Sequence, residues 1–416
     1  MTHQQIDENN AKAIETLLTA KPILIDVLPA INAIPGMTRH TILTSGAPMN
    51  WGNYTGGQRK AIIGGIMHER LANTAEEADA LIRSGTVKVL PCQSLGCVGS
   101  LAGVTTASMP VLVVRDAESG NQAYCSLFEG KVTARLNYGV YNEQVESNLR
   151  YLENVIGPLL SEAIKTAGGI ELAPIIKRAL HMGDELHSRN TAASILFNQQ
   201  LFPSLLALER RGMAKIDELA DYILSGDYFF LRAAMACAKV TMDRIKGFSG
   251  STLVSSMTLS CRDFSIQVAG LGEQWFRGPL PHLDSFGLFP GYTREDIEIM
   301  GGESVITETA GLGGFAQAAA FPLQSYQGGT PQQMIEKNLR MYLITASEHQ
   351  NFKIPFLQYR GVPFGIDIRK VVETGITPMM NIGLAGRGGG QIGAGSFVAP
   401  IEPFKLALEA FANRYK

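Results

Sequence analysis

Glycine is concentrated in one segment near the C-terminus, Gly375 to Ser396, which reads GITPMMNIGLAGRGGGQIGAGS. Seven glycines lie between Gly383 and Gly395, with one arginine, Arg387, and no carboxylate. Glycine reaches positive φ freely and lets backbone N–H groups approach a ligand, so the pattern is typical of an anion-binding nest. The alternative is a mobile surface loop. Such loops are usually rich in serine and acids, whereas apolar residues frame this segment.

Length and composition limit the classes of protein that this chain can belong to. The 416 residues exceed the roughly 250–300 at which single cores stop growing, so two or three domains are expected. A content of 45% hydrophobic and 18% charged residues is typical of a globular protein. The net charge of −2, without a basic stripe, argues against nucleic-acid binding.

The termini and cysteines indicate a soluble cytoplasmic protein. The N-terminus is polar and acidic, unlike a secretory signal, and no apolar run approaches the ~20 residues of a membrane span. Five cysteines without a C-x-x-C pair are typical of reduced thiols in the cytosol. We therefore expect no membrane association.

The spacing of apolar residues predicts an α+β (mixed α/β) fold with several domains. Residues 1–145 mix helical and antiparallel strand patterns, including a hairpin through Glu129-Gly130, and form an N-terminal α+β domain. Residues 146–247 show hardly any strand signal and form a helical domain. Residues 248–416 form a C-terminal α+β domain, with a hairpin over Thr252–Gly270 and glycine-rich strand-to-helix loops as ligand sites.

The most polar segment of the chain, HMGDELHSRN, separates two of the middle helices. On a continuous helix, His181 and Glu185 would share a face, as would Asp184 and His187, which suits proton transfer. The same spacing could hold a divalent metal, but no known ligand motif is present, and a solvated helix terminus is the third alternative. We take His181, Asp184, Glu185 and His187 as the candidate catalytic residues and expect no metal.

A second glycine-rich element, ITETAGLGGFAQA, covers Ile306–Ala318. A strand that ends at Thr307–Thr309 and leads through GLGG into an alanine-rich helix would place a helix N-terminus ready for an anion. Alternatively, these glycines only let a helix pack closely on a sheet. With the cations of the chain, they complete a candidate anion-binding set: Arg387, Gly388, Gly389, Gly390, Gly313, Gly314, Arg369, Arg262, Arg39 and Glu308.

Several familiar kinds of site are excluded because their sequence motifs are absent or incomplete. The residues Gly388–Gly393 fit G-x-G-x-x-G, but the chain ends before the βα unit and acidic residue that a dinucleotide fold requires. No P-loop and no G-x-S-x-G elbow occurs. We expect no cofactor.

Five segments together carry a family resemblance: TSGAPMNW, HMGDELHSRN, ITETAGLGGFAQAAA, GIDIRKVVETGITP and GLAGRGGGQIGAG. Over nearly the whole chain the sequence resembles the bacterial family, long catalogued as a domain of unknown function, that includes the AllG, YlbE-like and YahG-like proteins. The resemblance implies a subunit of oxamate carbamoyltransferase in allantoin and purine catabolism. It also implies two partners, an FdrA-like (AllF) subunit and an AllH-like subunit.

The implied reaction is phosphorolysis of oxalurate to oxamate and carbamoyl phosphate, so the small partners are anions. The resemblance implies no catalytic residues, and the site assignments above rest on chemistry alone. The signatures S-T-R-T and H-P-x-Q of other carbamoyltransferases are absent. The alternative functions are a non-catalytic scaffold or partner-binding subunit and a metal-dependent hydrolase or lyase that uses His181, Glu185 and His187. A homo-oligomer is a further possible assembly.

Overall fold

A computed structural model describes residues 1–224, 226 and 228–416, with the main chain only of Tyr326. In chain order, the strands β1 to β16 are Pro22–Pro29, Thr41–Thr44, Lys88–Pro91, Cys97–Val98, Pro110–Asp116, Gln122–Ser126, Ile170–Glu171, Val254–Leu259, Phe264–Val268, Phe276–Gly278, His282–Leu288, Ile297–Glu298, Thr345–Ile354, Arg360–Ile366, Met379–Gly386 and Gln391–Val398.

The α-helices α1 to α15 are His3–Leu18, Ala30–Ala33, Gly56–His68, Ala75–Arg83, Glu143–Tyr151, Gly157–Ala167, Leu172–His181, Thr191–Arg210, Ile216–Leu224, Phe229–Met242, Ile306–Thr309, Gln324–Gln327, Pro331–Met341, Ile368–Thr374 and Glu402–Arg414. Helices α5 and α6 are joined by a π-helical turn, Leu152–Ile156.

The strands form several small sheets rather than one large one. The five-stranded sheet has the order β4-β6-β5-β1-β7 and is antiparallel except for the β4–β6 pair. A three-stranded sheet (β10-β9-β8) and a four-stranded sheet (β11-β16-β15-β12) follow, with two strand pairs, β13-β14 and β2-β3. The mixture of helices with mainly antiparallel sheets confirms the predicted α+β class.

Helix α10 lies at the centre of the largest hydrophobic core. Each of its residues except Thr241 is buried, as expected for a helix that is apolar on nearly all sides. It packs against β1, β4, β5 and β6 and against helices α7, α8 and α11. The core around it draws on distant parts of the chain, from Leu24 through Phe230 to Val362. The three-domain division stays a prediction.

Local patterns were partly predictive. The long helix over Glu143–Thr166 and the hairpin between Thr252 and Gly270 are confirmed, the latter as β8 and β9. The prediction of a hairpin through Glu129-Gly130 is wrong, because the described residues after β6 form no strand until β7. The strand predicted to end at Thr307–Thr309 is also wrong, because Ile306–Thr309 is one turn of helix.

The packing of α15 on the C-terminal sheets gives a stability prediction. Phe404 is fully buried and its ring centroid lies 6.3 Å from that of Phe264, whereas Leu406 on the same helix is 48% exposed. We expect Phe404→Ala to lower the free energy of unfolding by about 3–5 kcal/mol through loss of burial and creation of a cavity. Leu406→Ala should change it by less than about 0.5 kcal/mol. Denaturant unfolding of both variants checks this, and equal effects would contradict it.

Candidate functional site

The glycine-rich C-terminal segment forms an antiparallel hairpin, β15 and β16, rather than a mobile loop. Asn381 pairs with Ser396, and Gly383 pairs with Ala394. Directly opposed residues lie on the same face of a sheet, so these four small or polar residues form one face. We call them the polar floor. The opposite face carries apolar side chains of the C-terminal core, such as Met380.

Glutamine and glutamate side chains cover the polar floor. Gln317 Nε2 donates to Asn381 Oδ1 at 3.0 Å and lies 2.9 Å from Ser396 Oγ. The amide of Asn381 in turn donates to Glu185 Oε1 at 3.1 Å. All four side chains are buried, so this hydrogen-bond network replaces water for groups that would otherwise be costly to bury.

The carboxylate of Glu185 occupies a nest of backbone N–H groups. It accepts from the N–H groups of His187 at 2.8 Å, Ser188 at 2.7 Å and Arg189 at 3.1 Å. Burial raises the pKa of this carboxyl, and the neighbouring imidazole and N–H groups oppose the rise. An anion nest therefore exists in this segment, but a side chain of the protein fills it.

Glu308 holds the imidazole of His187. The Nδ1 atom lies 2.8 Å from Glu308 Oε1 and 3.0 Å from Oε2, and both side chains are buried. The carboxylate also accepts from the N–H groups of Gly314 at 3.1 Å and Asn381 at 3.0 Å. An acceptor with several donors favours the tautomer in which Nδ1 carries the proton and Nε2 is basic.

Gly313 and Gly314 allow this close approach. A Cβ at Gly314 would lie 2.1 Å from the carbonyl oxygen of Met379, and one at Gly313 would lie 2.1 Å from Glu308 Oε1. Gly313 N–H donates to the carbonyl of Glu185 at 2.7 Å. The N–H groups predicted to bind an external anion are thus engaged by Glu185 and Glu308.

The four candidate catalytic residues do not form one group. Glu185 and His187 lie together with Glu308 and Asn381 in what we call the carboxylate–histidine cluster. Residues 182–190 are not helical, however, and His181 is exposed. The ring centroids of His181 and Tyr359 are 5.4 Å apart, in an edge contact. Asp184 instead receives Arg189 Nη1 at 2.6 Å and the N–H of Ala193 at 2.8 Å, and burial raises its pKa to about 6. Within the described residues, no three His, Cys, Asp or Glu side chains are grouped to hold a metal.

The predicted anion-binding residues are also dispersed. Residues Gly388–Gly390 form the turn of the hairpin, and the side chain of Arg387 is 69% exposed, 3.9 Å from Glu298 Oε2. Arg369 is bound by Asp367 and Asp7 at 2.7 and 2.6 Å. Arg262 and Arg39 are exposed. Only Gly313, Gly314 and Glu308 lie in the cluster.

Asn381, Gln317 and Ser396 were missed by sequence reasoning. For Asn381 the signal was period-two alternation in Met379–Gly386, which places Asn381 and Gly383 on one face of the strand. Gln317 carried no signal, because its role depends on a contact across the fold with Asn381.

Glu303 forms a second buried polar cluster with the N-terminal region. It accepts from Gly99 N–H at 2.9 Å and from Thr258 Oγ1 at 3.4 Å. Burial raises the pKa of this carboxyl to about 8 and holds the pKa of the Cys92 thiol well above its ordinary value. Glu303 is therefore mainly protonated at neutral pH, and Cys92 is not poised as a nucleophile.

No helix among the described residues is long and apolar enough to cross a membrane.

The fold and the interior carboxylate–histidine cluster define a mixed α+β protein with a buried polar site built from distant segments. A family model described as oxamate carbamoyltransferase subunit AllG matches residues 87–304. The chain is 37% identical over 416 residues to the oxamate carbamoyltransferase subunit AllG of Escherichia coli K12, covering 98% of each chain. It therefore belongs to the AllG family.

Two further relatives have no stated activity. The uncharacterized protein YahG of Escherichia coli K12 is 38% identical over 408 residues, which cover 98% of this chain and 86% of YahG. A crystal structure of a conserved protein of unknown function from Enterococcus faecalis V583 matches with a TM-score of 0.95 and 36% identity over 100% of both chains.

The glycines of the cluster and of the hairpin turn should respond differently to substitution. Gly314→Ala places a methyl group against the main chain of Met379 and must displace β15 or Glu308, so we expect a loss of about 2 kcal/mol or more in the free energy of unfolding. Gly388→Ala meets nothing within 4 Å and should cost under about 1 kcal/mol. Chemical denaturation distinguishes the two, and a tolerated Gly314→Ala would refute the close approach.

Glu303 predicts a pH dependence of stability. The unfolded chain loses this proton near the ordinary pKa of 4.5, whereas the folded protein keeps it until about pH 8. The free energy of unfolding therefore falls as pH rises through this window. Glu303→Gln removes the effect, so the stability of the variant relative to the parent should rise by more than about 1 kcal/mol from pH 5 to pH 8.

Denaturant midpoints at the two pH values measure the Glu303 effect. Glu409→Gln, at an exposed position on α15, is the matched control and should show no such trend. A relative stability of Glu303→Gln that does not change with pH would show that the carboxyl is ionised throughout.

Proposed function

We propose that this chain is a subunit of an oxamate carbamoyltransferase and that its carboxylate–histidine cluster forms part of the reaction centre. Family membership supports the complex. The observation that supports the site is convergence: HMGDELHSRN, ITETAGLGG and the glycine-rich hairpin, far apart in sequence, meet at Glu185, His187, Glu308 and Asn381.

The proposed reaction is phosphorolysis of oxalurate. An oxygen of hydrogen phosphate forms a bond to the carbamoyl carbon, and the bond from that carbon to the oxamate nitrogen breaks, leaving its electron pair on nitrogen. The proton of hydrogen phosphate must reach that nitrogen. No covalent enzyme intermediate is required, so the protein has to position two anions, stabilise an oxyanion and move one proton.

His187 has the arrangement that such a proton transfer needs. Its Nδ1 atom is held by Glu308, and no hydrogen bond among the described residues engages Nε2. A carboxylate that orients an imidazole in this way leaves Nε2 to accept a proton and return it. We assign Nε2 to the proton shuttle and Glu308 to its positioning, which revises the earlier assignment of Glu308 to anion binding.

The hairpin turn suits a contact with a partner subunit or an incoming anion. Arg387 is exposed there, and the nearby segments on either side of β12 expose Phe289, Tyr292 and Ile299. Exposed apolar side chains around a cation are typical of a protein contact. We propose that an FdrA-like (AllF) or AllH-like subunit covers this surface. A purely scaffolding chain would use the surface but not the buried cluster.

Turnover tests the reaction centre. In the complex assembled with its partner subunits, we expect His187→Gln to lower kcat for carbamoyl phosphate formation from oxalurate by about 10²–10⁴-fold with little change in KM, because the proton shuttle is lost. His40→Gln, at an exposed histidine, is the control and should keep full activity. Turnover of His187→Gln within threefold of the parent, with assembly intact, would exclude the cluster and favour a scaffold.

A further inference from the structure

Arg232 is a cation inside the protein that forms no ion pair with the residues that the structure describes. It lies in the first turn and a half of α10, is 3% exposed, and its Nε and Nη1 atoms have no hydrogen-bond partner among the described residues. No carboxylate among the described residues forms an ion pair with Arg232. A buried guanidinium with two of its three nitrogen atoms unpaired is strongly destabilising, so its retention points to an occupant.

Glu129, a carboxylate close to Arg232, does not fill this role. Burial raises the pKa of the Tyr222 phenol; the charge of Arg232 opposes the rise and that of Glu129 adds to it, so both groups lie near this ring. The oxygens of Glu129, however, accept from the N–H groups of Leu136 at 2.7 Å and Asn137 at 2.9 Å. Glu129 is therefore held by the main chain rather than by the guanidinium.

The position of Arg232 in α10 directs it towards the glycine-rich hairpin. It follows Tyr228 by four residues, so the two side chains share a side of the helix. The hydroxyl of Tyr228 accepts from Nε2 of Gln391, the first residue of β16, at 2.7 Å. The guanidinium thus lies on the side of α10 that meets the strand carrying the polar floor.

Helix α8 adds three polar residues whose atoms lack partners. Asn190, Ser194 and Asn198 recur every four residues and form one stripe along the helix start. Buried Asn190 Oδ1, Ser194 Oγ and Asn198 Oδ1 have no hydrogen-bond partner among the described residues. Phe197 lies on the same side of α8 and packs against Phe229 of α10, with ring centroids 5.1 Å apart. The stripe therefore faces the start of α10.

We propose that Arg232 and this stripe bind a small acid that carries an amide group. The carboxylate accepts from Nη1 of Arg232, and the hydroxyl of Ser194 donates to it. The amide N–H groups of the ligand donate to the side-chain oxygens Oδ1 of Asn190 and Asn198. This inference rests on the proposed function for the identity of the acid, oxamate.

The same stripe connects the acid to the proton shuttle. Asn190 Nδ2 donates to the carbonyl of His187 at 2.9 Å, so one residue contacts both the shuttle and the proposed ligand. A ligand amide nitrogen bound at Oδ1 of Asn190 therefore lies beside a residue that contacts His187, whose imidazole would protonate it. Arg232 is a binding residue in this account, whereas Glu308 is a positioning residue.

Binding to the full chain alone tests the inference, because each proposed ligand group belongs to this chain. Isothermal titration with oxamate should show one site, and Arg232→Gln should raise Kd at least 30-fold. Ser194→Ala, a small change that the fold should tolerate, should raise Kd about 5–10-fold. Arg210→Gln removes the same charge from an exposed position on α8 and should change Kd less than twofold.

The opposite results are distinct. If the parent chain binds no oxamate, or if Arg232→Gln and Ser194→Ala bind it as tightly as the parent, the site is not there. Binding of inorganic phosphate but not of oxamate would contradict the assignment of an amide acid. Should oxamate bind through Arg232 while the assembled protein transfers no carbamoyl group, the inference stands and the proposed function fails.

Discussion

The buried carboxylate of Glu308 requires hydrogen-bond donors, and the segments that supply them must meet at one point. An ionised carboxylate without donors would cost several kcal/mol in the interior. Its oxygens are instead met by the imidazole of His187 and by N–H groups of Gly314 and Asn381. These donors come from the middle of the chain, from the 3₁₀ turn Gly313–Phe315 and from the hairpin. One charge thus sets the relative positions of three segments.

The glycines are explained by the same constraint. Main-chain N–H groups can reach a buried carboxylate only where no side chain intervenes, and Gly313 and Gly314 leave no room for a Cβ beside Glu308 and Met379. The nest around Glu185 instead uses N–H groups of a turn that contains no glycine donor. This protein therefore uses anion-binding backbone mainly for its own carboxylates. The Nε and Nη1 atoms of Arg232, which have no partner among the described residues, are left for a ligand.

Local patterns in the sequence predicted the α+β class, the long helix over residues 143–166 and the β8–β9 hairpin, since each depends on periodicity within a short window. Polarity and glycine content also singled out Glu185, His187, Glu308, Gly313 and Gly314. Periodicity could not show that Ile306–Thr309 is helical or that His181 is exposed, because tertiary contacts decide both. Arg232 did leave a signal, a lone arginine in the otherwise apolar start of α10, but only the structure shows that its Nε and Nη1 atoms have no partner among the described residues.

Together, the shuttle at His187 and the cation at Arg232 describe a site within this chain that holds an amide acid by its carboxylate and moves a proton to its nitrogen. A crystal structure of the chain with oxamate tests this claim most directly. The account predicts the carboxylate of oxamate on Nη1 of Arg232, with its nitrogen on the side of Asn190. Oxamate bound elsewhere, for example at Arg387 on the hairpin turn, with only water at Arg232, would contradict it.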